Sequence, residues 1–181
     1  PAAVGPTQPT LVTLDGGNTA ANGIVIAAGV TGASVARFEI RNFTGNCIDA
    51  AQNNHGLVIE ENVIHHCGQH GIHVNGIGAV GVDNVMIRNN EVHDVGFGPN
   101  GGRGIVFWNG AKRDITIQNN YVHDIAGCCG IELQDGTATG AWLLDNVVER
   151  SGDSGMSAVQ LTSGSPAGRA NIIRGNTVSE T

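Results

Sequence analysis

One phrase recurs along this chain and constrains its fold more than any other feature. Val85-Met-Ile-Arg-Asn-Asn-Glu-Val-His-Asp94 returns as Ile115-Thr-Ile-Gln-Asn-Asn-Tyr-Val-His-Asp124, with weaker copies beginning at Leu57, Ala141 and Asn171. The asparagine common to all copies falls at 62, 90, 120, 146 and 176, at intervals of 28, 30, 26 and 30 residues. A glycine and a second apolar segment follow, as in Gly71-Ile-His-Val74, Gly104-Ile-Val-Phe107 and Gly130-Ile-Glu-Leu133, with earlier relatives at Gly23 and Cys47. Self-similarity at this period means one supersecondary unit stacked on the next.

Apolar positions alternate within each copy, as at Val85, Ile87 and Val92, which is the period of a half-buried strand. No convincing helical period is present. An interval near 28 residues holds about three short strands and three turns, and coils stacked at about 4.8 Å pair each strand with its equivalent in the next coil. Propeller blades are longer, and leucine-rich repeats need a regular Leu/Asn pattern with helices. The expected fold is therefore an all-β parallel β-helix of about six coils. Asn62, Asn90, Asn120, Asn146 and Asn176 are expected to form a ladder at one turn, each amide bonding the coils above and below.

Composition agrees. The chain has 181 residues, 40% of them hydrophobic, which suits one domain with a continuous core. Its 28 glycines supply the positive φ angles of frequent corners. A net charge of −7 with a single lysine, Lys112, argues against nucleic acid as a partner. No apolar run reaches the length of a membrane helix and no basic-then-apolar leader opens the chain, so no membrane contact is expected. One domain over 1–181 is expected, with 1–20 as an extended or capping segment and 21–181 as stacked coils. Pro1–Pro9 could cover one end. The chain stops within a repeat at Thr181, so the C-terminal end reads as uncapped and the chain as a piece of a longer protein. Cys47, Cys67, Cys128 and Cys129 form no spaced framework and read as buried or half-buried thiols.

The phrase Ile-x-Asn-Asn-x-Val-His-Asp followed by Gly-Ile resembles the repeat of the pectate-lyase-like right-handed parallel β-helix superfamily over about residues 22 to 180. That resemblance implies a right-handed helix and a range of polysaccharide chemistry: lyases, polygalacturonase-like hydrolases, epimerases and tailspikes. Gly68-Gln-His-Gly71 is similar to the Gly-His-Gly segment of the hydrolases and would pick out His70. Where those hydrolases carry an Asp-Asp-Cys motif, this chain has Gly45 and Asn46 before Cys47, so the inverting carboxylate pair is missing.

Equivalent positions form columns. Aligning Ile48, Ile72, Ile105, Ile131 and Val159 inward places Asp49, His73, Val106, Glu132 and Gln160 outward. Ala51, Asn75, Trp108, Gln134 and Thr162 lie two positions on, with Asp135 at the corner. Trp108 offers a stacking face for a sugar ring, with Asn75, Gln134 and Asp135 as hydroxyl partners. His73 and Glu132 are candidates for acid or base, and Arg103 and Lys112 for neutralising a uronate carboxylate. A second column holds His65, His93 and His123, with Asp94 and Asp124 beside it as possible oxygen ligands for calcium.

The function expected from these residues is a carbohydrate-active β-helix module on a polysaccharide, of lyase or epimerase type, extracellular or at the cell surface. The alternative is a non-catalytic structural or adhesive segment that associates end to end through its open coil.

Overall fold

The computed structural model describes residues 11–158 and 161–181, and every regular element in that span is a β-strand. The Pro1–Pro9 stretch lies outside the described residues. All strands pair in parallel and in sequence order, so the chain winds as a solenoid. Sheet A has seven strands, from Val12–Asp15 to Thr177–Ser179. Sheet B has six, from Ile24–Ile26 to Ser154–Ala158. Sheet C has six, from Ser34–Ala36 to Ile172–Arg174, and a three-stranded strip spans Val82–Asp83, Lys112–Arg113 and Ala138–Thr139.

Each sheet sends one column of branched side chains inward. Ile40, Ile64, Val92, Val122 and Val148 stack in sheet A, and Ile59, Ile87, Ile117 and Leu143 in sheet C. All are buried. Each such side chain stabilises the fold by roughly 1.5–3 kcal/mol relative to exposure. β-Branched residues suit these columns because their stiff χ1 packs well on a pleated surface.

Three corners per coil repeat as backbone columns in the left-handed region. One holds Glu61, Asn89, Asn119 and Asp145, immediately before the ladder asparagines; another holds His66, Asp94, Asp124 and Arg150; the third holds Gly56, Asn84, Asp114 and Gly140. Asn, Asp and Gly tolerate this conformation best, which explains why the repeat reads Asn-Asn and His-Asp. The recurring glycine has a steric cause. A Cβ on Gly104 or Gly130 would come within 2.4 Å of Val122 Cγ1 or 2.2 Å of Val148 Cγ1, so no other residue lets sheets A and B approach so closely.

The asparagine ladder forms as expected. Asn120 Oδ1 accepts the backbone N–H and the Nδ2 of Asn90, while its own Nδ2 donates to Asn146 Oδ1 and to the Ile87 carbonyl. Asn62, Asn146 and Asn176 continue it. A second, shorter ladder runs through Asn22, Asn46 and His70.

Two expectations are corrected. Ile131 pairs with Met156 and Glu132 with Ser157, not with Val159 and Gln160, both of which lie outside the described residues. A glycine-rich segment after Arg150 is shorter than its counterparts and moves the register. The cysteines are not thiols: Cys47 bonds Cys67, with Cα atoms 5.6 Å apart, and Cys128 bonds Cys129. Residues 47 and 67 are 20 apart in sequence and meet only because coil winding sets Cys67 against Phe43.

Candidate functional site

Strand alternation turns Asp49, His73, Val106 and Glu132 to the outside of sheet B in one register column. His73 Nδ1 lies 2.7 Å from Asp49 Oδ1, and this hydrogen bond holds the Asp49 carboxyl below the usual carboxylate range. His73 Nε2 is buried without a hydrogen-bond partner. The Trp108 ring stands edge-on to His73 and His70, with centroids 5.7 and 5.6 Å away. Arg103 lies with its guanidinium carbon 5.4 Å from the Trp108 centroid, and its Nε donates to Glu132 Oε2 at 2.7 Å. Four of the residues singled out in the sequence, His73, Trp108, Arg103 and Glu132, therefore share one face. Asp49, which orients His73, is the member that sequence reasoning left without a role.

His70 belongs to the second ladder. Its backbone N–H donates to Asn46 Oδ1, and its Nδ1 accepts the backbone N–H of Arg103. Burial, with His73 and Arg103 adding, pushes its pKa down to about 3. A ring that accepts at Nδ1 is neutral and carries its proton on Nε2. The Gly-His-Gly histidine is thus a structural acceptor.

Other candidates sit elsewhere. Lys112 is 1% exposed, and its ammonium donates to the backbone carbonyls of Asn109, Gly110, Gln134 and Asp135. Burial pushes its pKa down to about 8. It staples two coils together and is spent on those carbonyls. Asp135 takes a left-handed corner, the Gln134 Oε1 is buried without a partner, and Asn75 Oδ1 accepts from Asn109 Nδ2 at 3.2 Å.

On sheet A the imidazoles of His65, His93 and His123 stack with centroids 4.8 and 4.9 Å apart and planes within 6°. Arg41 extends the column below His65. Burial first, then the neighbouring His93 and His66, pushes the His65 pKa below its ordinary value. Asp94 Oδ2 lies 2.7 Å from His93 Nδ1. Both Asp124 oxygens accept from Arg150, at 2.7 and 2.9 Å, and Oδ2 lies 2.6 Å from His123 Nδ1. These contacts hold the Asp124 carboxyl far below the usual carboxylate range. A guanidinium occupying both oxygens does not leave Asp124 fit to be a calcium ligand.

No curated protein and no solved structure matches this chain. A family model described as a right-handed β-helix region matches residues 22–181, in agreement with the parallel stack and its ladder. The chain belongs to the right-handed β-helix family.

Proposed function

We propose that the outer face of sheet B engages an acidic polysaccharide outside the cell, and that His73 accepts a proton there in a lyase- or epimerase-type reaction. The observation that carries this reading is the Asp49–His73 pair beside Trp108, with an Nε2 that is buried without a hydrogen-bond partner, so that substrate binding must open the packing over it. An aspartate on Nδ1 fixes the tautomer that leaves Nε2 as the basic atom. In the proposed step, the proton next to a uronate carboxyl moves to His73 Nε2. The electron pair left on that carbon then forms a C4–C5 double bond as the glycosidic C4–O4 bond breaks, with solvent protonating the departing oxygen, or a proton from solvent returns on the other face and inverts the carbon. Arg103 is the cation for the uronate carboxylate, and Glu132 positions it. Lys112 has no part in this, because its N–H groups are taken by backbone carbonyls. Two disulfides favour an oxidising compartment.

The test is incubation of the purified chain with pectate, alginate and chondroitin. Elimination is read by the ultraviolet absorbance of the unsaturated uronate, and epimerisation by proton NMR. Activity that disappears in His73→Ala and Trp108→Ala, with strand content unchanged, supports the assignment. Full activity in both variants overturns it.

A second reading is a non-catalytic stalk or adhesive segment that associates through its outer coil. Ile173 and Val178, which continue the inward columns of Leu143 and Val148 and are exposed, are the apolar side chains that such an association would cover. Particle mass that grows with concentration in light scattering favours that reading, and a constant monomer mass removes it.

A further inference from the structure

We propose that Cys128, Cys129 and Glu132 form a redox-gated site for a soft divalent cation of the zinc class, closed while the two sulfurs are bonded and open once they are reduced. A Glu132 carboxylate oxygen lies within 4.8 Å of the two Sγ atoms, which are bonded to each other, and no other such group occurs among the described residues. Cys129 is 2% exposed and Glu132 8%, whereas Cys128 is half-buried. An ion there has protein on one side and an entry path on the other.

The backbone of the two cysteines and the Glu132 side chain are tied down by their neighbours. The Cys128 N–H donates to the Gly102 carbonyl at 3.0 Å, and its own carbonyl accepts from Asp153 and Ser154 at 2.8 and 2.9 Å. Cys129 pairs in register with Arg103. Arg103 Nε holds Glu132 through Oε2, which leaves Oε1 for a ligand. Asp153 Oδ2 stands 3.8 Å from Cys128 Sγ, so it or a water completes four donors. Two thiolates with two oxygens suit a zinc-class ion in tetrahedral geometry. With water as the fourth donor the charges also balance: two thiolates and one carboxylate are offset by one guanidinium and the divalent ion, as a largely buried site requires.

The gate is the sulfur–sulfur bond. A dithiol reductant gives two electrons and two protons to it and is itself oxidised to a disulfide, leaving two thiols at Cys128 and Cys129. The cation then displaces the two thiol protons to solvent and binds both thiolates. While the sulfurs are bonded they carry no charge and are poor ligands. This site does not depend on the saccharide reading, although Glu132 and Arg103 border both.

The test uses the whole folded chain, reduced under native conditions with a dithiol until two thiols per chain are counted, so that the buried Cys47–Cys67 bond stays closed, then desalted under anaerobic conditions and titrated with Cd²⁺. The thiolate-to-cadmium charge-transfer absorbance reports metal–sulfur bonds. One cadmium per reduced chain is expected, displaced by Zn²⁺. The oxidised chain should bind at least about a hundredfold more weakly, and Glu132→Gln about tenfold more weakly than the reduced wild type. The double variant Cys128→Ser/Cys129→Ser keeps the buried Cys47–Cys67 pair and should lose the absorbance. Cys128→Ser alone, at a half-buried corner, should keep its strand content by circular dichroism and lose tight binding. Undiminished cadmium absorbance in either serine variant, or equal binding by oxidised and reduced chains, overturns the proposal. Polyuronate activity is read separately, so either idea can fail without the other.

Discussion

His70 Nδ1 accepts the backbone N–H of Arg103 at 3.1 Å, so a histidine continues a ladder begun by the asparagines Asn22 and Asn46. An asparagine oxygen cannot be protonated at ordinary pH, and an imidazole can. Protonating Nδ1 removes the acceptor and places a charge in a buried corner.

Acid should therefore weaken the fold through His70. Its folded pKa of about 3 lies below the ordinary 6.5, so between those values the unfolded chain binds the extra proton. Stability from this group is fully present above about 6.5 and is lost as pH falls towards about 3. The loss is on the order of a few kcal/mol at its full extent. His70→Asn keeps an acceptor without the titration and should flatten this part of the pH profile, measured by thermal unfolding from neutral pH to pH ~4. An unchanged slope would remove His70 as the cause.

The main ladder should be costliest to break at its centre. Asn120 makes four hydrogen bonds through its side chain, and alanine there strands buried groups at about 1–3 kcal/mol each. Asn176 is only half-buried, and water can replace its partners. Urea midpoints should fall much further for Asn120→Ala than for Asn176→Ala.

Lys112→Met should behave as a stability variant. It keeps the apolar stem but leaves the carbonyls of Gln134 and Asp135 without their donor, at a cost of about 2–5 kcal/mol. Polyuronate turnover per folded molecule should not change. A selective loss of turnover with normal stability would instead return Lys112 to the site.

The Cys47–Cys67 bond closes a loop across a sequence separation of 20 residues, and removing a cross-link of that span costs about 3 kcal/mol. Both sulfurs are buried in the core, so Cys47→Ala/Cys67→Ala also leaves small voids. Its unfolding midpoint should fall both in the presence and in the absence of reductant. Wild type should fall only when reduced.

Strands, winding and the main ladder were legible in the residues themselves. Alternation at Val85 and Ile87 reports which side of a strand is buried, and the asparagine at a fixed place in each copy reports the corner at which coils bond. Both are local properties repeated along the chain, so one copy explains the next. The sheet B face was partly legible for the same reason: His73 and Glu132 lie outward because their neighbours lie inward. The residues of the chain could not say what each outward side chain would touch. Those partners lie a coil away, and coil lengths differ: Trp108 meets Asn75, 33 positions earlier in the sequence, while Thr116 meets Trp142, 26 positions later. Loop length sets the register across coils, and register sets chemistry. It buried Lys112 among carbonyls, made His70 a ladder acceptor, shifted Met156 onto Ile131 and brought Cys47 to Cys67. The sequence by itself determined the stack, because burial and ladder bonding repeat with the chain. Only the tertiary structure decided the pairings on its surface, because side-chain hydrogen bonds and ion pairs depend on distances of a few ångströms that no single repeat encodes.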